Sequence, residues 1–246
     1  MPEYLKAVIH WLKARLTSRR TVPCGRLTDI QDRSRPLFRI DAKADGNDVG
    51  IGGWQPYLDE HGAPDTQRSR WFATRLTPTT APWAYVKGEP FKTVAALELL
   101  ATVVALMVFA PSNQDHSQGI IAVTGHTDSM VSSMVVGKGM TTAFPLNLIA
   151  MEAAAQMEAL GVDLTLRWLP RDMNAEADDL SNFRFSSFAH EHRVEVDLAH
   201  LPFLVLPHLS AALMDFHTTQ VSGPPHTGSR RKRARPDQRL RITQPW

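Results

Sequence analysis

The feature that most constrains the fold of this chain is one apolar stretch that carries a single acid. Residues 93–110 read TVAALELLATVVALMVFA, and Glu98 is their only charged side chain. Alanine and leucine favour a helix and Pro90 suits a first helical position, so we predict a helix here. A buried carboxylate needs a partner or a metal ion, so Glu98 faces solvent, pairs with a base or binds a metal. A membrane span is disfavoured, because it needs about 20 apolar residues and this run has an acid inside it.

The composition excludes several classes of protein. The chain has 246 residues and 43% hydrophobic side chains, which suits a soluble globular protein with one or two domains. Cys24 is the only cysteine, so an internal disulfide framework and a cysteine-based zinc site are excluded. The N-terminal residues lack the continuous apolar segment of a secretory signal. We therefore expect an intracellular location and no membrane partner.

The net charge of +2 conceals an uneven distribution. Residues 1–40 carry nine Lys or Arg against three Asp or Glu, and residues 223–246 carry seven against one. Residues 41–222 carry 11 basic and 21 acidic side chains. Basic flanks around an acidic centre indicate arms that bind a polyanion, or else solvated tails that bind nothing. The segment RRKRARP at 230–236 is typical of a nuclear-localisation signal, which would give a nuclear location, or of a nucleic-acid patch.

The organisation of the chain divides it into four parts. Residues 1–36 combine an amphipathic basic helix at 3–16 with a linker, and residues 37–182 form the main α/β domain. Residues 183–222 are an extension that we expect to pack on that domain, and residues 223–246 read as a disordered basic tail. One stripe of the first helix carries Leu5, Ile9, Leu12 and Leu16, with Val8 and Trp11 beside it, so we expect this helix to pack on a neighbouring domain. A nucleic-acid or membrane-surface role for that helix is the alternative.

The main domain reads as a mixed α/β sheet. Short turns join three β-patterned segments into an antiparallel meander, and helices then alternate with further strands. The glycines of the second strand allow close backbone approach. The predicted strands are residues 37–42, 49–54, 69–76, 120–124 and 162–169. The predicted helices are residues 90–110, 129–136, 144–160 and 175–182.

Four acids occupy positions suited to one site. Asp41 ends the first predicted strand, Glu98 lies in the apolar helix, Asp128 follows a buried strand, and Asp178 lies in the first turn of the last core helix. In open α/β sheets, sites form at strand ends where the order of connections reverses. The alternative is four unrelated acids among the 21 of this region, but their placement on separate elements favours a site.

These residues resemble a known family. The segments FRIDAKADGNDVGIGGW, ALELLA, VTGHTDSM and NAEADDLSN contain the four acids and look like the four-carboxylate signature of ribonuclease H (RNase H). The ending is similar to the RNase H domain of retroelement reverse-transcriptase polyproteins, through Asn174, Ala177, Asp178, Leu180 and Ser181. The resemblance covers roughly residues 37–182.

The resemblance implies a metal-dependent endonuclease that cleaves the RNA strand of RNA–DNA hybrids. It implies two Mg²⁺ ions, with Mn²⁺ as a substitute, bridged by Asp41. Glu98 and Asp128 would serve the water-activating side and Asp178 the other. Our candidates for contacts to the nucleic acid are Lys138, Arg171 and Asn174. A polymerase domain is the implied protein partner, and residues 1–36 would be a remnant of a polymerase or connection region.

One departure from the family concerns the loop before the last acid. Many RNases H carry a histidine there, whereas this loop reads LPRDMN at residues 169–174. The departure puts the turnover rate in question. It leaves open a non-catalytic nucleic-acid binder or an orphaned polyprotein fragment with the same fold. Another nuclease or a transposase of that fold is a third alternative.

Overall fold

The computed structural model describes residues 3–17, 35–111 and 120–222 and shows a five-stranded mixed sheet in the order β3-β2-β1-β4-β5. The strands are β1 (Phe38–Asp45), β2 (Asp48–Leu58), β3 (Pro64–Leu76), β4 (Ile121–Thr127) and β5 (Val162–Trp168). The helices are α1 (Glu3–Thr17), α2 (Val94–Phe109), α3 (Met130–Lys138), α4 (Leu146–Leu160), α5 (Ala175–Ser181) and α6 (Leu206–Ser222). Strands β1 to β3 are antiparallel, and β4 and β5 join in parallel. The predicted mixed α/β sheet, with three antiparallel strands followed by parallel ones and flanking helices, is confirmed.

The first strand is longer than predicted. We expected Asp41 to end it, but β1 continues to Asp45, where Gly46 with φ of 53° turns the chain into β2. What ends near Asp41 is the pairing with β4, whose last partners are Ile40 and Thr127. The prediction was wrong about the strand because β2 keeps pairing with β1 after β4 has stopped.

The order of connections reverses at β1, which lies between β2 and β4. Asp41 and Asp128 are the residues that directly follow the last β1–β4 pair. In open α/β sheets this is where ligand sites form.

Helix α2 is the core of the larger face of the domain. It contacts β1, β2 and α4, and apolar side chains around its whole circumference are buried, including Leu97, Leu99 and Val103. A helix that is apolar all round belongs in a protein core or in a membrane. The segment Pro90–Phe109 is long and apolar enough to cross a membrane, but most of its apolar stretch is buried inside the protein.

The opposite face of the sheet carries a smaller core beneath α5. Trp54, Trp71, Ala177, Leu180 and Phe188 are buried there. A Cβ at Gly52 would lie 2.6 Å from the Leu180 Cβ and from the Ser181 nitrogen, so only glycine lets α5 approach β2 this closely. The close backbone approach that the sequence predicted is confirmed.

The C-terminal segment is tied to the domain by a buried acid. Glu152 on α4 is fully buried, and its carboxylate accepts hydrogen bonds from the backbone N–H groups of Leu204, Val205 and Leu206 at 2.7–2.9 Å. These groups lie at the start of α6, where backbone N–H groups lack partners within the helix. The Gln156 side chain donates to the same carboxylate at 2.8 Å.

Helix α1 packs differently from the prediction. Leu5, Ile9 and Leu12 are 37–45% exposed, whereas Val8 packs against the core and α1 contacts α6. The helix therefore contacts the domain through Val8, beside the predicted stripe, and these three residues of the stripe do not make that contact. The side chain of Leu16, the linker residues 18–34 and the tail 223–246 lie outside what the structure describes.

Candidate metal centre

Asp41 lies at the centre of the site, on the strand where the sheet order reverses. It is only 3% exposed. Its partner in the β1–β2 register is Gly52, the residue on which α5 rests. This close approach brings the hydroxyl of Ser181 to Asp41, where it donates to Oδ2. The carboxylate is therefore oriented by a side chain 140 residues away in sequence.

Glu98 reaches the same place from α2. It is 7% exposed, so the solvent-facing alternative is wrong. Its carboxylate accepts a hydrogen bond from the backbone N–H of Ala42 and lies 3.5 Å from the hydroxyl of Thr127. These donors are neutral, and no Lys or Arg among residues 3–17, 35–111 and 120–222 forms an ion pair with Glu98. The base-paired alternative therefore finds no support in the described chain.

Asp128 directly follows β4, as predicted, and is half-buried. Its backbone is held on both sides. The indole N–H of Trp168 donates to the Asp128 carbonyl at 2.9 Å, and Ser129 caps the N-terminus of α3. The side chain therefore leaves a fixed strand-to-helix junction.

The three acids converge. Asp41, Glu98 and Asp128 each offer an oxygen, and these oxygens all lie within 4.8 Å of one another. In the described part of the chain no basic side chain forms an ion pair with any of the three. Close carboxylates without a counter-ion repel one another. A hard divalent cation such as Mg²⁺ prefers oxygen ligands, so the donor set fits such an ion.

Asp178, the fourth predicted acid, is not in this group of three. It lies in the first turn of α5, as predicted, but its carboxylate is held by other side chains. Arg171 Nη2 is 2.6 Å from Oδ1, Arg184 Nη2 is 2.8 Å from Oδ2, and Asn182 Nδ2 is 3.2 Å from Oδ2. Asp178 is nevertheless near enough for its charge to raise the pKa of Asp41.

Burial and mutual repulsion raise the pKa values of the central acids. Burial raises the pKa of Asp41 from 3.8 to about 7, and the charges of Asp128 and Asp178 act in the same direction. The hydrogen bond from Ser181 partly opposes this rise. Burial, followed by the charges of Asp41 and Asp128, also raises the pKa of Glu98 well above its ordinary value. Displaced carboxyl pKa values inside one cluster are typical of functional sites.

We expect the metal-free protein to lose stability as the pH rises from about 4 to about 7. The Asp41 pKa is about 7 in the folded protein against 3.8 for an ordinary aspartate, so between these values the folded state binds a proton that the unfolded chain has lost. The free energy of unfolding should therefore fall across this range, by on the order of a few kcal/mol, and level off above it.

Urea denaturation in EDTA at pH 5 and pH 8 checks this, with Asp41→Asn as the comparison. The variant should show a weaker pH dependence and should gain stability at pH 8. An equal pH dependence of the free energy of unfolding in both proteins would mean that folding does not raise the pKa of Asp41.

The candidate nucleic-acid contacts differ in their exposure. Lys138 is exposed at the end of α3, and the side chain of Arg171 is 76% exposed. Asn174 is 1% exposed and donates to the Ile40 carbonyl at 2.9 Å, which links the start of α5 to β1. Its Oδ1 has no hydrogen-bond partner within the described chain. Contact of these three residues with nucleic acid stays a prediction.

Sequence reasoning missed two residues of the site. Ser181 lies inside the quoted ending NAEADDLSN, but it received no role because nothing in the spacing shows which acid it meets. Arg184 belongs to no motif. The sequence does show that Ser181 lies three residues after Asp178, on the same face of a short helix, and this places it near the acids without naming its partner.

No family model matches this chain, and no curated protein matches it. The chain is similar to RNase H1 from Halobacterium salinarum NRC-1, at 17% identity and a TM-score of 0.41 over 60% of this chain and 95% of that one. It is also similar to the N-terminal RNase H domain of rv2228c from Mycobacterium tuberculosis, at 17% identity and a TM-score of 0.36 over 61% and 94%. A third similar structure is LC11-RNase H1, isolated from compost, in complex with an RNA/DNA hybrid, at 19% identity and a TM-score of 0.36 over 59% and 93%. Because these likenesses are distant, we base the proposed function on the acid cluster itself.

Proposed function

We propose that this protein is a metal-dependent endonuclease of the RNase H type, which hydrolyses the RNA strand of RNA–DNA hybrids. The observation that carries the proposal is the convergence of Asp41, Glu98 and Asp128 within 4.8 Å at the point where the sheet order reverses. Three close carboxylates that have no basic partner in the described chain are costly at neutral pH unless bound protons or a cation offset their charge.

Four acids would together hold two divalent ions. Asp41, Glu98 and Asp128 would hold one ion, and Asp41 together with Asp178 would hold the second. When bound, such a pair of ions supplies an activated water and stabilises the leaving oxygen of a phosphodiester. Ser181 and the N–H of Ala42 keep the Asp41 and Glu98 carboxylates in place. These bonds fix the ligands before a substrate arrives.

The charge of the chain bears on how the substrate binds. Residues 41–222 carry 21 acidic against 11 basic side chains, so this part alone repels a polyanion. Cations at the cluster and the basic flanks offset the repulsion, so we expect binding to depend steeply on salt. Selection of a hybrid over DNA would come from helix shape and the 2′-hydroxyl groups.

The experiment that tests the proposed function is a cleavage assay with matched RNA–DNA, RNA–RNA and DNA–DNA duplexes in Mg²⁺, Mn²⁺ and EDTA. We expect cleavage of the RNA strand of the hybrid alone, and only with a divalent ion. Binding of the hybrid without cleavage under either ion would favour the non-catalytic binder. Cleavage of DNA would favour another nuclease or a transposase.

We also propose that the chain derives from a retroelement reverse transcriptase and works beside a polymerase domain. The order of Asn174, Ala177, Asp178, Leu180 and Ser181 supports this origin. Sequencing the adjacent coding region checks this origin, and an adjacent region without polymerase motifs would contradict it.

For the cellular location we propose the nucleus, directed by residues 230–236. A fluorescent fusion that stays outside the nucleus, with or without that segment, would contradict this proposal.

A further inference from the structure

Two arginines converge on one carboxylate beside the acid cluster. Arg171 and Arg184 bind opposite oxygens of Asp178, at 2.6 Å and 2.8 Å. Their side chains are 76% and 58% exposed, whereas that of Asp178 is 19% exposed. Both guanidinium groups therefore lie at the surface, directly above an acid that is itself partly covered.

The fold holds these two side chains in fixed directions. Arg171 begins the short 3-10 helix that precedes α5, and Arg184 follows the end of α5, so a helix of seven residues brings both to the same carboxylate. Arg184 is fixed further, because its Nε lies 2.7 Å from Asp179 Oδ1 and its backbone N–H donates to the Asp179 carbonyl at 2.8 Å.

Each guanidinium keeps donors for another ligand. An arginine carries five N–H donors in a planar fork. The hydrogen bonds within the described chain use one group of Arg171 and two groups of Arg184. The remaining donors belong to exposed side chains. A planar fork of this kind matches the oxygens of a phosphate group.

The position of the pair relates it to the metal ligands. The hydrogen bond and charge of Asp178 are the main causes that raise the pKa of Arg171, and the charges of Asp41 and Asp128 add to them. The charge of Arg171 in turn partly opposes the burial that raises the pKa of Asp41. Arg171 is thus within electrostatic reach of the cluster. A polyanion approaching three repelling carboxylates needs nearby positive charge to offset them.

We propose that Arg171 and Arg184 form a phosphate clamp, which binds a backbone phosphate of the nucleic acid next to the one that is hydrolysed. The clamp rests on the proposed function and adds to it a residue, Arg184, that no sequence motif indicates. Asp178 orients both guanidinium groups before the phosphate arrives, so little side-chain freedom is lost on binding.

The test measures binding of a short fluorescent RNA–DNA hybrid in EDTA over a series of salt concentrations. Arg171→Gln and Arg184→Gln should each weaken binding several-fold at low salt and reduce the salt slope by about one. The matched control is Arg68→Gln, because Arg68 is exposed on the β2–β3 hairpin and lies over the ring of Tyr57 at 3.9 Å, with no contact to Asp178. The control should lose less affinity than either clamp variant.

A lysine variant separates charge from geometry and protects the test against misfolding. Arg184→Lys keeps the charge, so its salt slope should match the parent while its affinity stays lower. Glutamine variants that bind with the parent's affinity and slope, or a parent that binds no hybrid, would overturn the clamp. A parent that binds the hybrid with the expected variant effects but never cleaves it would contradict the proposed function and leave the clamp standing.

Discussion

Asp128→Asn is expected to lower Mg²⁺-dependent cleavage of an RNA–DNA hybrid by several orders of magnitude. Asparagine keeps the size and shape of the side chain but removes one negative charge from the group that would hold the ion. Ligand loss weakens both ion binding and the stabilisation of charge at the phosphate. Initial rates across a Mg²⁺ titration measure the effect.

The same substitution should leave the metal-free protein as stable as the parent, or more stable. Removing one charge from three close carboxylates relieves repulsion. Thermal unfolding in EDTA measures whether the stability is unchanged or raised while the cleavage activity falls. Asp163→Asn is the matched control, because Asp163 is an exposed acid on β5 outside the cluster, and it should change neither property. An Asp128→Asn protein that cleaves like the parent would remove Asp128 from the set of ligands.

Glu152→Ala should destabilise the protein by on the order of 3–5 kcal/mol, the largest loss of stability that we expect from one substitution. The side chain is fully buried, and its loss leaves the N–H groups at the start of α6 without their acceptor. A buried donor without a partner costs about 1–3 kcal/mol.

Urea denaturation measures the loss, and Glu152→Gln provides the graded comparison. Glutamine keeps one acceptor oxygen and the volume of the side chain, so it should cost less than alanine. An alanine variant within about 1 kcal/mol of the parent would show that the start of α6 finds other partners or does not depend on α4.

Periodicity and local chemistry were sufficient to predict most of the fold. The order of the elements and the glycine-rich second strand are visible in the sequence because backbone preferences act over a few residues. Asp128 could be placed just past a strand because an apolar, β-branched run, residues 120–124, stops three residues before it. Glu98 could be identified as a candidate because it is the only acid in an otherwise apolar helix, which is buried on all sides in the structure.

The details of the site depend on long-range contacts that local sequence patterns do not predict. Ser181 meets Asp41 across 140 positions because Gly52 lets α5 approach the sheet. The sequence also did not indicate that the Asp178 carboxylate would pair with Arg171 and Arg184. Which partner a surface acid binds depends on the direction of its side chain, and periodicity does not determine that direction.

A crystal structure of the protein grown with Mn²⁺, in which anomalous scattering locates the ion, tests the proposed metal centre without relying on activity. We predict one ion bound by Asp41, Glu98 and Asp128, and a second between Asp41 and Asp178 when a hybrid is also present. Loss of the anomalous peak of the first ion in crystals of Asp41→Asn would show that Asp41 is one of its ligands. Mn²⁺ bound elsewhere, with the three carboxylates free of metal in crystals of a protein that cleaves hybrids, would contradict the proposed metal centre.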